Sequence, residues 1–388
     1  MNHCQECNEA TNHAVEYVGA LLDTALLPLA SLQRRLLPRK SSPNRGKVFV
    51  RLYAALVRLR MGYFLEAYDG QTLLLDQVLW DEAKRRGIVM REFRLFGAAK
   101  GLFIATLPNG RVLDFDGVPL PQQRALWWIN NKPKLVQRLS KAGFPVAKGG
   151  SAATLKRALA LFNKLAKPLV VKPSAGSASR HTTMHVDSVE GLERAFRLAK
   201  KLSPWVMIEE ELAGSVYRPT LVNGTLIATL RRDQPYVTGD GIKTVQELVE
   251  EENKNPARSG PHFGPIKLDG AAVAELAVQG LKVQSIPASG RRVQLNQKIN
   301  WSLGGTTTDV TDIVHPDNKK LFEEVPKLLH APLVGIDFII EDISRSWKEQ
   351  PKCGIIECND MPYFDNHHLP YKGKPRNVAG PIWDLITG

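Results

Sequence analysis

The chain has 388 residues, 43% hydrophobic and 23% charged, an ordinary globular composition with length enough for two or three core units. Its four cysteines cannot make a disulfide scaffold; no apolar run reaches the roughly 18 residues of a membrane span, and the start lacks a secretory leader's features, so a cytoplasmic location is expected. The net charge is +13, with about nine Lys and Arg and no acid in residues 34–60, a segment suited to an anionic partner or surface, or to a plain solvated face.

Residues 1–45 read as a helical, basic extension. Cys4 and Cys7, with His3 and His13 nearby, offer either half of a zinc site or simple free thiols. YVGALLDTALLPLASLQRRLL is apolar with a basic end and suits a helix lying on a membrane surface, on the body of the protein or on a second subunit. Pro28 should bend or end it.

After the SSPN linker, residues 46–128 read as a small α/β domain. LLLDQVLWDEAKRRG is a helix closed by Gly87, IVMREFRLF a strand, and LFIATL-PNG-RVLDF a hairpin. NNKPKLVQRLSKAG is a helix with Pro133 in its first turn and Gly143 at its end. TLKRALALFNKLAK is a second amphipathic helix. PLVVKPSAGSASRHTTMHV is strand, small-residue loop, strand. SVEGLERAFRLAKKL is a helix capped by Ser188, and WVMIEEELAG a strand ending in three glutamates. VYRPTLVNGTLIATLRR is a hairpin turning at Asn223-Gly224. Residues 239–292 show one clear helix, AAVAELAVQGL. INWSLGGTTTDVTDIVHPDN is too polar and Gly-rich for a core strand. A helix and a strand fill 319–340, and GIIECN closes the sheet.

Two features carry chemistry. PLVVKP delivers Lys172 to a loop of small residues, where backbone N–H groups can approach a phosphate; the same loop would also serve as an ordinary turn. GIDFII and GIIECN place Asp337 on one strand and Glu357 and Asn359 on another. Residues two apart on a strand share a face, and two carboxylates with an amide oxygen suit Mg2+ completed by phosphate oxygens, or they cap strand ends at the surface.

The succession VVKP, IEExLxGxxYR, GDG-x-x-TV-x-EL, N-x-SxGGT-x-x-DVTD-x-xHP-x-N, GID and ECN-x-x-P resembles the ATP-grasp ligases, in particular the ATP-grasp domain of the cyanophycin synthetase family, over residues 128–388. The resemblance implies an α/β fold of α+β subdomains: residues 129–212 with phosphate loop and hinge, residues 213–388 with the metal site, and 46–128 as a pre-ATP-grasp domain. It implies ATP and Mg2+, two ions with Mn2+ as a substitute, and small amino-acid or peptide substrates joined through an acyl phosphate, in a chain often found as a homodimer. Lys132 and Lys172 would contact phosphates, with Ser174, Gly176, Ser177 and Arg180 in the covering loop. Glu209, Glu210, Glu211 and Leu212 would form the hinge that reads adenine. Arg218 and Arg232 would steer the transferred phosphate; Asn300, Ser302, Gly304, Gly305 and Thr306 would cradle the acyl phosphate; Asp337, Glu357 and Asn359 would hold metal. Ser179 and His181 stand where the family's phosphate loop has glycines, Val216 where it has a ribose-binding acid, and Asn296 where it has an arginine, with Lys298 two residues on. No match is expected for the Mur-ligase-like domain that follows in cyanophycin synthetase. A non-catalytic nucleotide-binding module is the alternative these departures leave open.

Overall fold

A computed structural model describes residues 12–21, 45–120, 129, 131–175, 180–260 and 262–388, with side chains in the second segment from residue 50 and without that of residue 100. The zinc-type Cys4/Cys7 pair, Pro28, the basic stretch 34–44 and the loop residues Gly176, Ser177 and Ser179 lie outside the described residues.

Residues 13–21 are helical (α1). The next unit is helix α2 (Arg45–Arg58), strand β1 (Gly62–Leu65), helix α3 (Leu74–Arg85) and strands β2 (Val89–Leu95), β3 (Ala98–Thr106) and β4 (Val112–Asp116), in an antiparallel sheet of order β1-β2-β3-β4. The expected helix and hairpin are both present, and Gly87 takes φ +69 just past α3, a backbone setting that costs glycine nothing. This unit does not close its core alone. Leu79, Trp80, Phe103 and Phe115 pack with Val222, Ala228 and Leu333 from the C-terminal sheet and with Ile382 and Trp383 of the last helix, α11 (Ala379–Thr387). Trp383 Nε1 donates to the Leu79 carbonyl at 3.0 Å.

Helix α4 (Lys132–Lys141) buries Leu135 and Leu139 in the core of the C-terminal lobe, whereas the middle lobe holds α5 (Leu155–Lys164), α6 (Val189–Ala199) and an antiparallel sheet of order β5-β8-β6-β7, built from β5 (Gly149–Ala152), β6 (Leu169–Pro173), β7 (Thr183–Val186) and β8 (Val206–Glu210). Asn131, Thr154 and Ser188 cap α4, α5 and α6 by accepting backbone N–H groups; each such cap contributes about 1 kcal/mol. Amphipathic α5 and α6 bury Leu161, Phe162, Leu192 and Phe196 against Val171 and Ile208.

The C-terminal lobe is a five-stranded antiparallel sheet of order β13-β10-β9-β14-β15. Its strands are β9 (Ser215–Val222), β10 (Thr225–Asp233), β13 (Thr306–Asp309), β14 (Leu333–Ile340) and β15 (Gly354–Asn359). Asn223 and Gly224 both take positive φ at the β9–β10 turn, the twist a two-residue hairpin requires. Alternation sorts β14: Ile336, Phe338 and Ile340 join a core with Phe322 and Val325 of α9 (Pro316–Leu329), which leaves Gly335 and Asp337 on the opposite face.

Two expectations fail here. Thr306–Asp309 is a strand after all, paired to β10 through Asp233↔Thr306 and Leu230↔Asp309, with Thr307 fully buried; the β-branched threonines satisfy the ladder with their backbone, and polarity alone misjudged them. The 239–292 segment holds two helices, α7 (Val245–Glu252) and α8 (Gly270–Val278), packed on a ribbon of β11 (Tyr236–Thr238) and β12 (Arg292–Gln294). The missed α7 starts with a full capping box between Thr244 and Glu247, a signal written in the sequence as T-x-x-E.

Candidate functional site at the junction of two sheets

The site lies where the middle and C-terminal sheets meet. The segment entering β5 runs alongside β15: Ile355 N donates to the Pro145 carbonyl at 2.9 Å, and Val146 bridges Ile355. Ala213 N, just past β8, donates to the Lys352 carbonyl at 2.9 Å. Gly354 lies under this crossing, where a Cβ would stand 3.1 Å from the Val146 backbone and 3.2 Å from Leu212.

On the middle sheet, Lys172 of β6 and Glu209 of β8 sit diagonally across adjacent strands, and their side chains pair at 2.5 Å, both largely buried. Lys132, the first residue of α4, is half-buried beside them. Burial and the nearby Lys172 hold its ammonium below the ordinary lysine range, against the pull of Glu357, Glu209 and Asp337. These groups from both lobes therefore share one electrostatic neighbourhood.

On the C-terminal sheet, β9 supplies Arg218, β10 Arg232, β14 Asp337 and β15 Glu357 and Asn359. Asp337 and Glu357 are direct cross-strand partners, and Asn359 pairs with Gly335, so three of the expected metal-site residues stand on neighbouring positions of two strands. Asp337 is buried and doubly paired. Arg218 grips it in a fork, Nε at 2.5 Å and Nη2 at 2.8 Å, and Arg232 Nη1 donates to both oxygens at 3.1 and 3.2 Å. Burial alone would raise this carboxyl; the two guanidinium groups outweigh it and hold it below the usual range. Gly335 makes the fork possible, because a Cβ there would lie 3.1 Å from Arg218 Cδ and 2.7 Å from Pro362.

The Gly-rich loop completes this wall. Asn300 Oδ1 accepts from Ser302 N at 2.9 Å and Ser302 Oγ at 2.8 Å. Gly304 takes φ +94, and Gly305 sits where a Cβ would strike the Asn300 and Asp233 carbonyls at 2.8 and 3.0 Å. The indole of Trp301, from the same loop, lies under the Arg232 guanidinium at 5.0 Å. Arg258, absent from the expected set, ties the loop down by donating to the Gly264 and Gly304 carbonyls at 2.9 and 3.1 Å.

The remaining hinge and loop residues separate. Glu211 and Leu212 line a cleft of about 360 Å³ together with Pro168, His185, Gly214, Gln234 and Lys352. Glu211 receives the His185 backbone N–H at 2.9 Å and contacts its ring nitrogen at 2.8 Å. Glu210 accepts from Ala166 N at 3.1 Å and points away. Ser174 is turned into the lobe, 3.1 Å from Ser203 Oγ, with its N–H on the Trp205 carbonyl; its hydroxyl holds strand ends together and does not face the loop. His181 adopts the left-handed φ of +51 that its side chain makes costly. Its Nδ1 lies 2.8 Å from the Leu198 carbonyl, and its ring meets His13 of α1 edge-on at 5.0 Å. Arg180 is ion-paired with Glu16 of α1 at 3.0 Å. Helix α1 thus packs on the body of the protein, one of the placements its sequence allows, at the loop's C-terminal side, a position that the residue pattern does not specify.

Among the described residues no group of three or more His, Cys, Asp or Glu forms a metal site by itself. The set Asp337, Glu357 and Asn359 nonetheless fits Mg2+, which takes one or two carboxylates and completes its octahedron with water and phosphate oxygens. No helix of the described residues is long and apolar enough to cross a membrane.

No family model matches the chain. Curated relatives do. Cyanophycin synthetase of Nostoc sp. is 35% identical over 222 residues, 56% of this chain and 24% of that protein. The glutathione biosynthesis bifunctional protein of Mannheimia succiniciproducens is 30% identical over 364 residues, 89% of this chain and 45% of that protein. An alignment that long reaches N-terminal of residue 128, beyond the motifs that carry the resemblance. The chain spans less than half the length of these relatives. Among solved structures, a bifunctional glutathione synthetase from Pasteurella multocida superposes with a TM-score of 0.60 at 26% identity, covering 80% of this chain and 44% of that one. Sequence likeness running through both sheets of the site, and a shared fold over most of the chain, make this protein a member of the ATP-grasp ligase family.

Proposed function

We propose that the chain is an ATP- and Mg2+-dependent ligase that joins a carboxylate to an amine through an acyl phosphate and releases ADP. The observation that carries this reading is the meeting of Lys132, Lys172, Asp337 and Glu357, from separate elements, in one neighbourhood where the two sheets cross. Converging lysines suit phosphate oxygens, and converging carboxylates suit the metal ion that a nucleoside triphosphate brings with it.

In this reading adenine enters the cleft beside Glu211 and Leu212, and Lys132 and Lys172 face the phosphates. Glu209 aims Lys172 rather than reading the base, since it already holds that lysine at 2.5 Å. Asp337, Glu357 and Asn359 would hold Mg2+, which when bound offsets charge on the phosphates. Arg218 and Arg232, fixed by Asp337, present their remaining N–H groups to the transferred phosphoryl, and the Asn300–Gly305 backbone takes the developing oxyanion. A carboxylate oxygen attacks the γ-phosphorus and ADP leaves; the amine nitrogen then attacks the acyl carbon, the C–O bond to phosphate breaks, and the nitrogen gives up a proton to the departing phosphate. The test is ADP release across a matrix of acids and amines, with Glu357→Gln as control. ADP formed only with a matched pair, and abolished in Glu357→Gln, is the expected result. Absence of both ADP release and Mg2+-ATP binding by calorimetry would overturn it. A nucleotide-binding module without catalysis is favoured by one observation, the engagement of Arg180 by Glu16; ATP binding without turnover in that matrix would select it.

A further inference from the structure

Helix α2 packs on the N-terminal sheet by one face. Tyr53 is buried with Phe93 and Ile104, and Val50, Leu56 and Phe64 pack against that cluster. On the far side, Leu52 is 48% exposed and Leu59 67% exposed. Leu59 continues the last turn, its N–H donating to the Ala55 carbonyl at 3.0 Å, so the two leucines stand seven residues apart on one helix face. Arg51 and Arg58, spaced in the same way, lie exposed beside that stripe, and Arg60 follows just past the helix end.

The β2–β3 turn stands next to this end of α2. Phe96 N donates to the Met61 carbonyl at 2.9 Å, so the turn after α2 and the hairpin tip share one edge of the molecule. Phe96 is 73% exposed and takes φ +52, followed by Gly97 at φ +77. Two successive positive φ values make a tight hairpin turn whose first position favours Asn, Asp or Gly. A phenylalanine there strains the backbone and leaves most of its ring in water.

The edge is basic as well as apolar. Residues 34–60 hold about nine Lys and Arg and no acid, and the next acid along the chain, Glu66, lies 3.7 Å from Arg91. A second copy of the chain is a poor occupant, since a two-fold contact would set these arginines against their own copies. Nucleic acid would satisfy the arginines but offers no hydrocarbon for the leucines. An anionic bilayer serves both: its surface charge draws the arginines, and its interface takes the leucines and the ring.

We propose that Leu52, Leu59 and Phe96, flanked by Arg51, Arg58 and Arg60, dock the protein peripherally on an anionic membrane surface. None of these residues belongs to the site at the junction of the two sheets.

The test is sedimentation of the full-length chain with vesicles of phosphatidylcholine alone or of equal parts phosphatidylcholine and phosphatidylglycerol. Binding to the mixed vesicles, weakening as salt is raised, and little binding to the neutral ones is the expected result. Arg58→Gln and Arg60→Gln should each lower the partition coefficient about fivefold, the weight of one basic side chain near such a surface. Leu59→Ser and Phe96→Asn should each lower it on the order of tenfold, the weight of a large apolar side chain leaving water. Phe96→Asn also suits the turn better, so its thermal midpoint should be no lower than that of the parent chain. No binding to either vesicle, binding that survives all four substitutions, or a midpoint that falls with Phe96→Asn overturns the inference. Self-association that Leu59→Ser removes, without vesicle binding, gives the edge to a second copy and overturns it equally.

Discussion

Replacing Asp76 by asparagine should stabilise the protein, and by an amount that depends on pH. Burial, then the neighbouring Glu92, Asp116 and Asp365, push the Asp76 carboxyl from 3.8 up to about 7. The folded protein therefore keeps a proton that the unfolded chain has already released. Below 3.8 both states are protonated and the acid costs nothing. As pH rises from 3.8 towards 7, stability falls, because the folded state binds more protons. At about 1.4 kcal/mol for each tenfold in proton affinity, the loss amounts to about 4 kcal/mol above pH 7 and about 1 kcal/mol near pH 4.5. Asp76→Asn removes that liability, so it should gain on the order of 3–4 kcal/mol at pH 8.5 and much less at pH 4.5. Trp80 and Trp383 lie in the core that α3 shares with the C-terminal helix, so urea unfolding followed by tryptophan fluorescence reads the change directly. The same gain at both pH values, or a loss at pH 8.5, would refute the reasoning.

Asp337→Asn should abolish ADP release and also destabilise the fold by about 3–5 kcal/mol, because Arg218 and Arg232 would be left buried without their counter-charge; thermal unfolding beside the activity assay measures both effects, and an intact midpoint would contradict the pairing. Gly304→Ala should cost about 1–3 kcal/mol and most of kcat, since φ is +94 and the new Cβ would stand 2.6 Å from Ile266; a silent substitution would show the loop is not held as described. Glu16→Ala releases Arg180 from its ion pair and should lower the KM for ATP by about threefold, the scale of a partly exposed pair; an unchanged KM would make the contact a purely structural one.

The sequence by itself determined most of the elements and singled out residues that the fold brings close together. Period-two alternation set Asp337 apart from Ile336 and Phe338, the Asn-Gly pair fixed the β9–β10 turn, and Ser188 and Pro133 marked helix starts. These signals are local, so they need no knowledge of the rest of the chain. What the residue pattern could not contain is who neutralises whom. Lys172 meets Glu209 across two strands, Asp337 meets two arginines from two others, and Ser174 turns inward to Ser203 instead of towards the loop. The meeting of Arg180 with Glu16 showed no signal at all, since it depends on segments 164 residues apart. The N-terminal sheet's need for Trp383 is of the same kind. Burial and charge pairing are properties of proximity in space, and only the packed sheets created that proximity.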